Sequence, residues 1–288
     1  MSVRAGTRLD GRYRLGDRLG AGGMGQVWRA SDEVLSREVA VKILHPEFAD
    51  DETFVRQLRA AARVTSGLPH HGIAAVYDFG QTRVGADGQS PARDHEQDGD
   101  RVVYLVMELI PGVALSTILS EVGPLSCGRT LDLIAQAARA VHAAHQRGVI
   151  HRDIKPANLM VIPPRRVKVT DFGTAWPVDH EPLTATGQVR GIAHYLAPEL
   201  VKGQDASPLS DVYALAIVAY DCLAGRPPFP GGNQVAVALA HLNETAPPLP
   251  PSVPLPVRAV IGAAMEKDPR RRLPGAEAFA VALEDLQR

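Results

Sequence analysis

The chain has few cysteines and no long apolar run. Cys127 and Cys222 are the only two cysteines in 288 residues, so a disulfide-rich secreted fold is excluded and a reducing compartment is expected. No apolar run reaches the roughly 18 residues that a membrane helix needs. Residues 1–10 also lack the apolar core of a signal peptide. We therefore expect a cytoplasmic protein with no membrane segment in this chain.

An excess of one charge is also absent. The 31 basic and 32 acidic residues leave a net charge of −1. Without a basic excess, we expect no nucleic-acid partner. Hydrophobic residues make up 45% of the chain, which is ordinary for a globular protein with sizeable cores. The length of 288 residues indicates roughly two domains.

The amino-terminal part of the chain has the apolar alternation that is typical of strands. This pattern predicts strands over residues 13–19, 26–30, 38–44, 73–79 and 102–109. One helix is predicted over residues 53–64, where Phe54, Leu58 and Ala61 are spaced to share a face. Residues 81–101 are polar and have no periodicity, which predicts a mobile insertion loop.

The pattern becomes helical after Pro111-Gly112, a turn at which we place a domain boundary. Helices are predicted over residues 131–147 and 211–224, and Ser210 is the predicted cap of the second. The sequence therefore predicts an α+β protein. Its first part is small and mostly β with one main helix, and its second part is larger and mainly helical.

The most specific motif lies at residues 151–160, with the sequence HRDIKPANLM, and an Asp-Phe-Gly triplet begins at Asp171. Transfer of the γ-phosphoryl group of ATP needs a base for the hydroxyl nucleophile, a positive charge beside the phosphate and ligands for Mg²⁺. Asp153 suits the first role and Lys155 the second. Asn158 and Asp171 suit the third, because both offer side-chain oxygens.

A glycine-rich stretch at residues 20–25 is weak evidence by itself, since glycines also make hairpin turns. A dinucleotide-binding loop would need a helix directly after it. Instead, residues 26–29 continue as a strand, and the sequence VAVK follows at residues 39–42. This order is typical of the ATP cover of a protein kinase, in which Lys42 would hold the α- and β-phosphates.

Together these motifs resemble a bacterial, eukaryotic-like serine/threonine protein kinase catalytic domain. Residues 197–199 (APE) match the end of the family's activation segment, and residues 211–213 (DVY) match the start of its central helix. Arg272 is similar to the arginine that pairs with the glutamate represented here by Glu199.

The resemblance implies a two-lobed kinase fold. The N-lobe, residues 1–110, would be small and mostly antiparallel β with one main helix. The C-lobe, residues 111–288, would be larger and mainly helical. Lys155, two residues after Asp153, resembles the serine/threonine-specific pattern rather than the tyrosine-specific one.

The resemblance also implies the nucleotide contacts. Met107 would be the gatekeeper and Glu108 to Ile110 the hinge beside adenine, while Val27, Ala40 and Met160 would sandwich the base. The full implied ATP-binding set is Leu19, Gly20, Gly22, Gly23, Gly25, Val27, Ala40, Lys42, Met107, Glu108, Ile110 and Met160. The implied cofactors are ATP and Mg²⁺, with Mn²⁺ as a substitute.

Protein substrates are the implied partners, together with a second copy of the chain in a homodimer for autophosphorylation. Thr184 and Thr186 lie where bacterial relatives carry activation-loop phosphosites. Arg152 would offer a phosphorylated loop a cationic partner.

Two positions depart from the family pattern. The family carries a glutamate on its main N-lobe helix nineteen residues after the strand lysine, where this chain has Ala61. Gln57, one turn earlier, is a weak substitute as a hydrogen-bond partner for Lys42. The threonine expected after Gly191 is Ile192, which has no hydroxyl to contact the catalytic residues.

Because the base and both Mg²⁺ ligands are present, the leading hypothesis is a serine/threonine protein kinase with weakened or regulated activity. A misplaced positioning group costs about 10²-fold in rate. The alternative is a pseudokinase or nucleotide-binding signalling scaffold with little or no transfer. A small-molecule phosphotransferase would not be expected to carry residues 197–199.

Overall fold

The computed structural model describes residues 3–85, 99–172 and 193–288. The chain forms two compact units, one of Met1–Pro69 with Ala74–Ile110 and the other of His70–Ile73 with Pro111–Arg288. Across the described ranges, no helix has both the length and the apolar character needed to span a bilayer.

The first unit is built on a six-stranded sheet in which every neighbouring pair is antiparallel. The strands are β1 (Arg8–Leu9), β2 (Tyr13–Gly22), β3 (Gly25–Asp32), β4 (Arg37–Leu44), β5 (Val76–Val84) and β6 (Asp100–Glu108). They lie in the order β1-β2-β3-β4-β6-β5. Alternation along β4 directs Val39, Val41 and Ile43 into a core with Tyr13 and Tyr104.

Two helices complete this unit, α1 (Pro46–Ala49) and α2 (Glu52–Ser66). Asp51 caps α2, because its carboxylate accepts the backbone N–H groups of Thr53 and Phe54. Phe54 and Leu58 lie one turn apart and pack in a second core cluster with Leu44 of β4. The helix predicted over residues 53–64 is therefore confirmed and is slightly longer at both ends.

The insertion loop predicted over residues 81–101 is wrong at both ends. Residues 81–84 belong to β5 and residues 100–101 to β6, and Arg83 pairs with Arg101 across the two strands. β5 is an edge strand of the sheet, where polar side chains reach water without breaking the ladder. The polar composition of residues 81–84 therefore did not indicate whether they pair with a neighbouring strand. Residues 86–98 lie outside the described ranges.

The second unit is mainly helical. Its helices are α3 (Leu115–Val122), α4 (Cys127–His145), α5 (Pro198–Val201), α6 (Pro208–Ala224), α7 (Gln234–Asn243), α8 (Leu255–Ala264) and α9 (Ala276–Asp285). A three-stranded sheet accompanies them, β7 (Val113–Ala114), β8 (Leu159–Ile162) and β9 (Arg166–Val169). The apolar helix α6 is buried along most of its length, which explains its nearly unbroken run of apolar residues.

The cap of α6 differs from the prediction. Ser207, not Ser210, is the capping residue, and its hydroxyl accepts the backbone N–H of Leu209. Ser210 closes the capping box through its hydroxyl, which accepts from the backbone N–H of Ser207 at 3.1 Å. The same hydroxyl donates to Glu199 Oε1 at 2.7 Å. Ser210 thus links the start of α6 to α5.

A buried histidine on α7 makes the second unit sensitive to acid. His241 has no exposed surface. Burial first, and the nearby Lys267 ammonium second, lower its pKa from 6.5 to about 3. Below pH 6.5 the unfolded chain therefore binds a proton that the folded chain refuses until about pH 3, so acid favours unfolding across this window.

We expect the free energy of unfolding to fall by about 2 kcal/mol more between pH 7 and pH 5 than it does in a His241→Gln variant. Glutamine is polar but does not titrate there. Urea unfolding of both proteins at the two pH values measures the difference. An identical pH slope for the two proteins would contradict the assignment.

Candidate active site

Several of the residues assigned to ATP lie on one face of the sheet in the first unit. Directly opposite residues on antiparallel strands point to the same face, and the register pairs Val27 with Lys42 and Ala40 with Met107. The opposite face of β4 carries the core residues. The Lys42 side chain is buried, with 8% of its surface exposed.

The proposed hinge follows this face at the end of β6. The backbone N–H of Glu108 donates to the Ala75 carbonyl at 2.8 Å, and Glu108 Oε2 accepts the Ala75 N–H at 3.2 Å. These bonds fix the backbone just before Ile110, which is half-buried. Leu19 lies on β2 with 47% of its surface exposed.

The glycine-rich stretch forms the tip of the β2–β3 hairpin, where Gly22 pairs with Gly25. A Cβ on Gly25 would lie 2.0 Å from the Ile43 carbonyl oxygen, so this glycine is required by the close approach of β4. A Cβ on Gly20, Gly22 or Gly23 would meet nothing within 4 Å. Their missing side chains are therefore not explained by packing and leave room for a ligand to approach the backbone closely.

Alanine substitutions at Gly25 and at Gly22 should affect different properties, the first stability and the second nucleotide binding. We expect Gly25→Ala to lower the free energy of unfolding by about 1–3 kcal/mol through overpacking. Gly22→Ala should leave stability nearly unchanged and weaken Mg·ATP binding by about tenfold, the equivalent of one lost hydrogen bond. Urea unfolding and calorimetric titration with Mg·ATP measure the two effects. Equal behaviour of the two variants would contradict the distinction.

In the second unit, two predicted catalytic side chains and one predicted metal ligand lie together. Lys155 Nζ lies 2.9 Å from Asp153 Oδ1 and 2.7 Å from Oδ2. Asn158 Nδ2 donates to Asp153 Oδ2 at 3.0 Å and to the Asp153 carbonyl at 2.7 Å. The Asp153 carboxylate is thereby oriented from two sides. The arrangement suits a base that has a cation beside it.

Asp211, at the start of α6, holds the backbone next to Asp153 through hydrogen bonds. The carboxylate of Asp211 accepts the N–H of His151 at 2.8 Å and the N–H of Arg152 at 2.9 Å. His145 Nε2 lies 2.7 Å from the same carboxylate. Arg152 has φ 68°, a conformation that costs a non-glycine residue about 1–3 kcal/mol, and these bonds keep it there.

His151 ties the loop to the segment that follows β9. It is fully buried, and its Nε2 donates to the Thr170 carbonyl at 2.8 Å. Its Nδ1 therefore accepts the Asp153 N–H at 3.2 Å. The His151 ring lies on Phe172, with the ring centroids 4.5 Å apart. The Asp-Phe-Gly triplet and the catalytic loop are thus joined by one histidine.

The predicted metal ligands flank the β8–β9 hairpin. Asn158 precedes β8, and the Thr170 N–H donates to its carbonyl at 2.9 Å, so Asp171 comes next to the same end of the hairpin. Within the described ranges, both hydrogen bonds of the Asn158 side chain use Nδ2, so its Oδ1 can face a cation. In the described part of the chain, no cluster of three or more His, Cys, Asp or Glu side chains is prearranged for a metal. A two-oxygen site fits Mg²⁺, which keeps waters and substrate phosphates as its other ligands.

Met160, a predicted adenine contact, lies on β8, opposite Lys168 of β9 and Ala114 of β7, and is half-buried.

Arg272 makes a bidentate ion pair with Glu199, and both contacts measure 2.7 Å. Burial alone would raise the pKa of Glu199, but the bonds from Arg272 and Ser210 outweigh it and lower the pKa. Glu199 thus remains charged inside the unit.

The departure at Ala61 lies on α2, where this residue is half-buried and Gln57 is exposed. Gln57 makes no side-chain hydrogen bond with any residue of the described ranges, so the weak substitute expected for the missing glutamate is not seen. Glu52, at the start of α2, contacts Arg101 at 2.6 Å instead. Gly173, Thr184, Thr186 and Ile192 lie outside the described residues.

No motif pointed to His145. It contacts Asp211 from 66 residues away in the sequence, and a lone histidine near a helix end gives no signal of such a contact. The pairing of Asp211 with the loop backbone was equally hidden, since backbone donors leave no trace in the sequence.

The sequence and the fold are similar to those of known proteins. The family of protein kinase domains matches residues 13–282. The chain is 45% identical over 283 residues to the serine/threonine-protein kinase PknA of Mycobacterium tuberculosis, covering 98% of this chain and 63% of that protein. It is 38% identical over 275 residues to the serine/threonine-protein kinase PrkC of Bacillus subtilis, covering 94% of this chain and 40% of that protein. The chain thus spans less than two thirds of the length of these relatives.

A solved structure gives the same result for the fold. The kinase domain of Mycobacterium tuberculosis PknI superposes with a TM-score of 0.73 and 26% sequence identity. The match covers 98% of this chain and 99% of that one.

Proposed function

Because this chain belongs to the family of protein kinase domains, we propose that it transfers the γ-phosphoryl group of ATP to serine or threonine hydroxyls of proteins. Members of this family use ATP and a divalent metal ion. The observation that carries the proposal is the constellation around Asp153, whose carboxylate contacts both Lys155 and Asn158.

Asp153 acts as the base. It accepts the proton of the substrate hydroxyl as the oxygen attacks the γ-phosphorus, and the bond to the β,γ-bridging oxygen breaks to release ADP. Lys155 lies beside the carboxylate and offsets the negative charge of the transferring group. The bonds from Asp211 to the loop backbone hold Asp153 in place without a reorganisation during the reaction.

Asn158 and Asp171 would hold Mg²⁺, which when bound would neutralise charge on the phosphate oxygens. In the first unit, Lys42 binds the α- and β-phosphates, and the amides of Gly20, Gly22 and Gly23 approach them closely. The face formed by Val27, Ala40 and Met107 contacts the adenine. Gly25 belongs to the same predicted ATP-binding set, and the close approach of the Ile43 carbonyl gives it a structural reason as well.

The activity is weakened or regulated, because α2 offers Ala61 where the family carries a glutamate for the strand lysine. The same observation favours a second candidate, a pseudokinase that binds nucleotide and signals without transfer. The two differ in one measurable property. Stabilisation by Mg·ATP in a thermal shift, combined with no transfer of labelled phosphate, would favour the pseudokinase.

Protein substrates include a second copy of the chain, which is phosphorylated at Thr184 or Thr186. The experiment is incubation of the dephosphorylated protein with Mg·ATP, followed by mass spectrometry of the peptide that contains both threonines. We expect phosphate on at least one of them, and none in a Thr184→Ala/Thr186→Ala double variant. Phosphate that is absent from the wild-type peptide after long incubation would contradict the proposal.

A further inference from the structure

A short helical turn, Ala193–Tyr195, leads into the APE sequence at residues 197–199. Tyr195 and Leu196 line a cavity of about 10 Å³ together with Asp153 and Arg152. The cavity is about the size of one water molecule, so the turn packs directly beside the loop that carries Asp153. A substrate whose hydroxyl lies at Asp153 therefore has this turn as a neighbour.

The turn is anchored at each of its three residues. Ala193 packs in an apolar cluster with Phe229 and Val237. The Tyr195 hydroxyl donates to Asp221 Oδ2 at 2.7 Å. Between them, the backbone carbonyl of His194 lies 3.1 Å from His241 Nε2, on α7.

The tautomer of His241 follows from its partners. A carbonyl oxygen only accepts hydrogen bonds, so Nε2 carries the proton and donates it to His194. Nδ1 is then the acceptor, and it receives the Tyr213 hydroxyl at 2.8 Å. Protonation of Nδ1 would break this second bond, and the Lys267 ammonium nearby opposes it.

Lys267 contacts both His241 and its partner Tyr213. Its Nζ donates to the His241 carbonyl at 2.7 Å. The same Nζ lies 3.4 Å from the Tyr213 hydroxyl oxygen, to which it donates a weaker hydrogen bond. The ammonium also lies 4.6 Å from the centre of the Phe229 ring, which attracts a cation. Tyr213 therefore orients the imidazole through Nδ1, and Lys267 holds the backbone of the same residue.

We propose that His241 is a positioning residue for the protein substrate, because its hydrogen bond to the His194 carbonyl fixes the turn of residues 193–195 beside Asp153. This inference rests on the proposed kinase function. It assigns a role in substrate binding to a residue of α7 that lies outside the predicted ATP-binding and catalytic set. Loss of the bond should weaken binding of the peptide and leave Mg·ATP binding unchanged.

A matched pair of amide variants tests the bond. In His241→Gln, the amide nitrogen reaches the position of Nε2 and can still donate to His194. In His241→Asn, the shorter amide reaches only the position of Nδ1, near Tyr213, and cannot. Both variants lose the imidazole ring, so a purely structural role would affect them alike.

The probe is a synthetic peptide with the sequence of residues 178–190, which contains Thr184 and Thr186. Its affinity is measured by fluorescence anisotropy and its KM by phosphate transfer. We expect His241→Asn to raise both the Kd and the KM for the peptide about tenfold, the effect of one lost hydrogen bond. His241→Gln should stay within about twofold of wild type, and the KM for ATP should not change in either variant.

Hydrogen exchange gives a second readout that needs no catalysis. The amides of Leu196 and Leu200, which bond to the carbonyls of Ala193 and Ala197, should exchange faster in His241→Asn than in His241→Gln. Equal peptide affinities and equal exchange in the two variants would overturn the inference. A wild-type protein that transfers no phosphate would overturn the proposed function instead, and the Kd and exchange comparisons would still decide the role of His241.

Discussion

An Asp153→Asn variant is expected to transfer phosphate about 10²–10⁴-fold more slowly than the wild type, the usual cost of losing a general base. Asparagine has nearly the same shape as aspartate but cannot accept the proton of the attacking hydroxyl. Its amide nitrogen would also face either Lys155 or Asn158, both of which donate to Asp153 in the wild type. Transfer of labelled phosphate to the peptide of residues 178–190 measures the rate.

Two controls test whether the slower transfer comes from the loss of the base at Asp153. The Kd for Mg·ATP should stay close to the wild-type value, because Asp153 touches the reacting hydroxyl rather than the nucleotide. Asp205→Asn is the matched control, since Asp205 is exposed and its side chain makes no hydrogen bond or ion pair with another residue in the described ranges. A variant at Asp153 that keeps more than about a tenth of the wild-type rate would contradict the role of base.

The chemistry of this site could be predicted from the sequence because it depends on local spacing. Asp153, Lys155 and Asn158 lie within one short loop, and the structure brings their side chains within hydrogen-bond distance of each other. The family and its α+β fold were identified on the same grounds and are confirmed. Local motifs of this kind can be recognised even where the predicted ends of the surrounding helices and strands are wrong.

What the sequence did not predict depends on contacts between distant residues. The support of the catalytic loop comes from Asp211 and His145, and the second of these contacts joins residues 66 positions apart. The polar residues 81–84 form a strand only because β6 pairs with them. In each case a tertiary contact overrides a local preference. The cap of α6 differs for a local reason, because the helix begins at Pro208, so Ser207 is its cap and Ser210 lies in its first turn.

The glycine-rich hairpin shows how the structure refines a motif. By sequence, Gly22 and Gly25 are equivalent members of one pattern. The approach of the Ile43 carbonyl explains Gly25 and leaves Gly22 without a structural reason. A motif can therefore mix residues that fold the loop with residues that bind the ligand, and only the structure separates the two groups.

Restoring a glutamate at position 61 should increase activity. We expect Ala61→Glu to raise kcat/KM about 10²-fold, the usual cost of a misplaced positioning group, or about 2.7 kcal/mol of transition-state stabilisation. The reason is that a carboxylate on the half-buried face of α2 would pair with the buried Lys42 ammonium and hold it for the phosphates. Steady-state transfer to the peptide measures the gain.

The control is Ala60→Glu, which adds the same charge to the same helix at an exposed position. It should leave kcat/KM within about twofold, because neighbouring residues on a helix point to different faces. Urea unfolding of both variants checks that the fold is intact. A gain at position 61 alone would mean that the catalytic loop is competent and that the first unit limits the rate. If Ala61→Glu is folded, binds Mg·ATP and transfers no faster than wild type, the missing carboxylate is not what limits activity, and the pseudokinase interpretation becomes the stronger one.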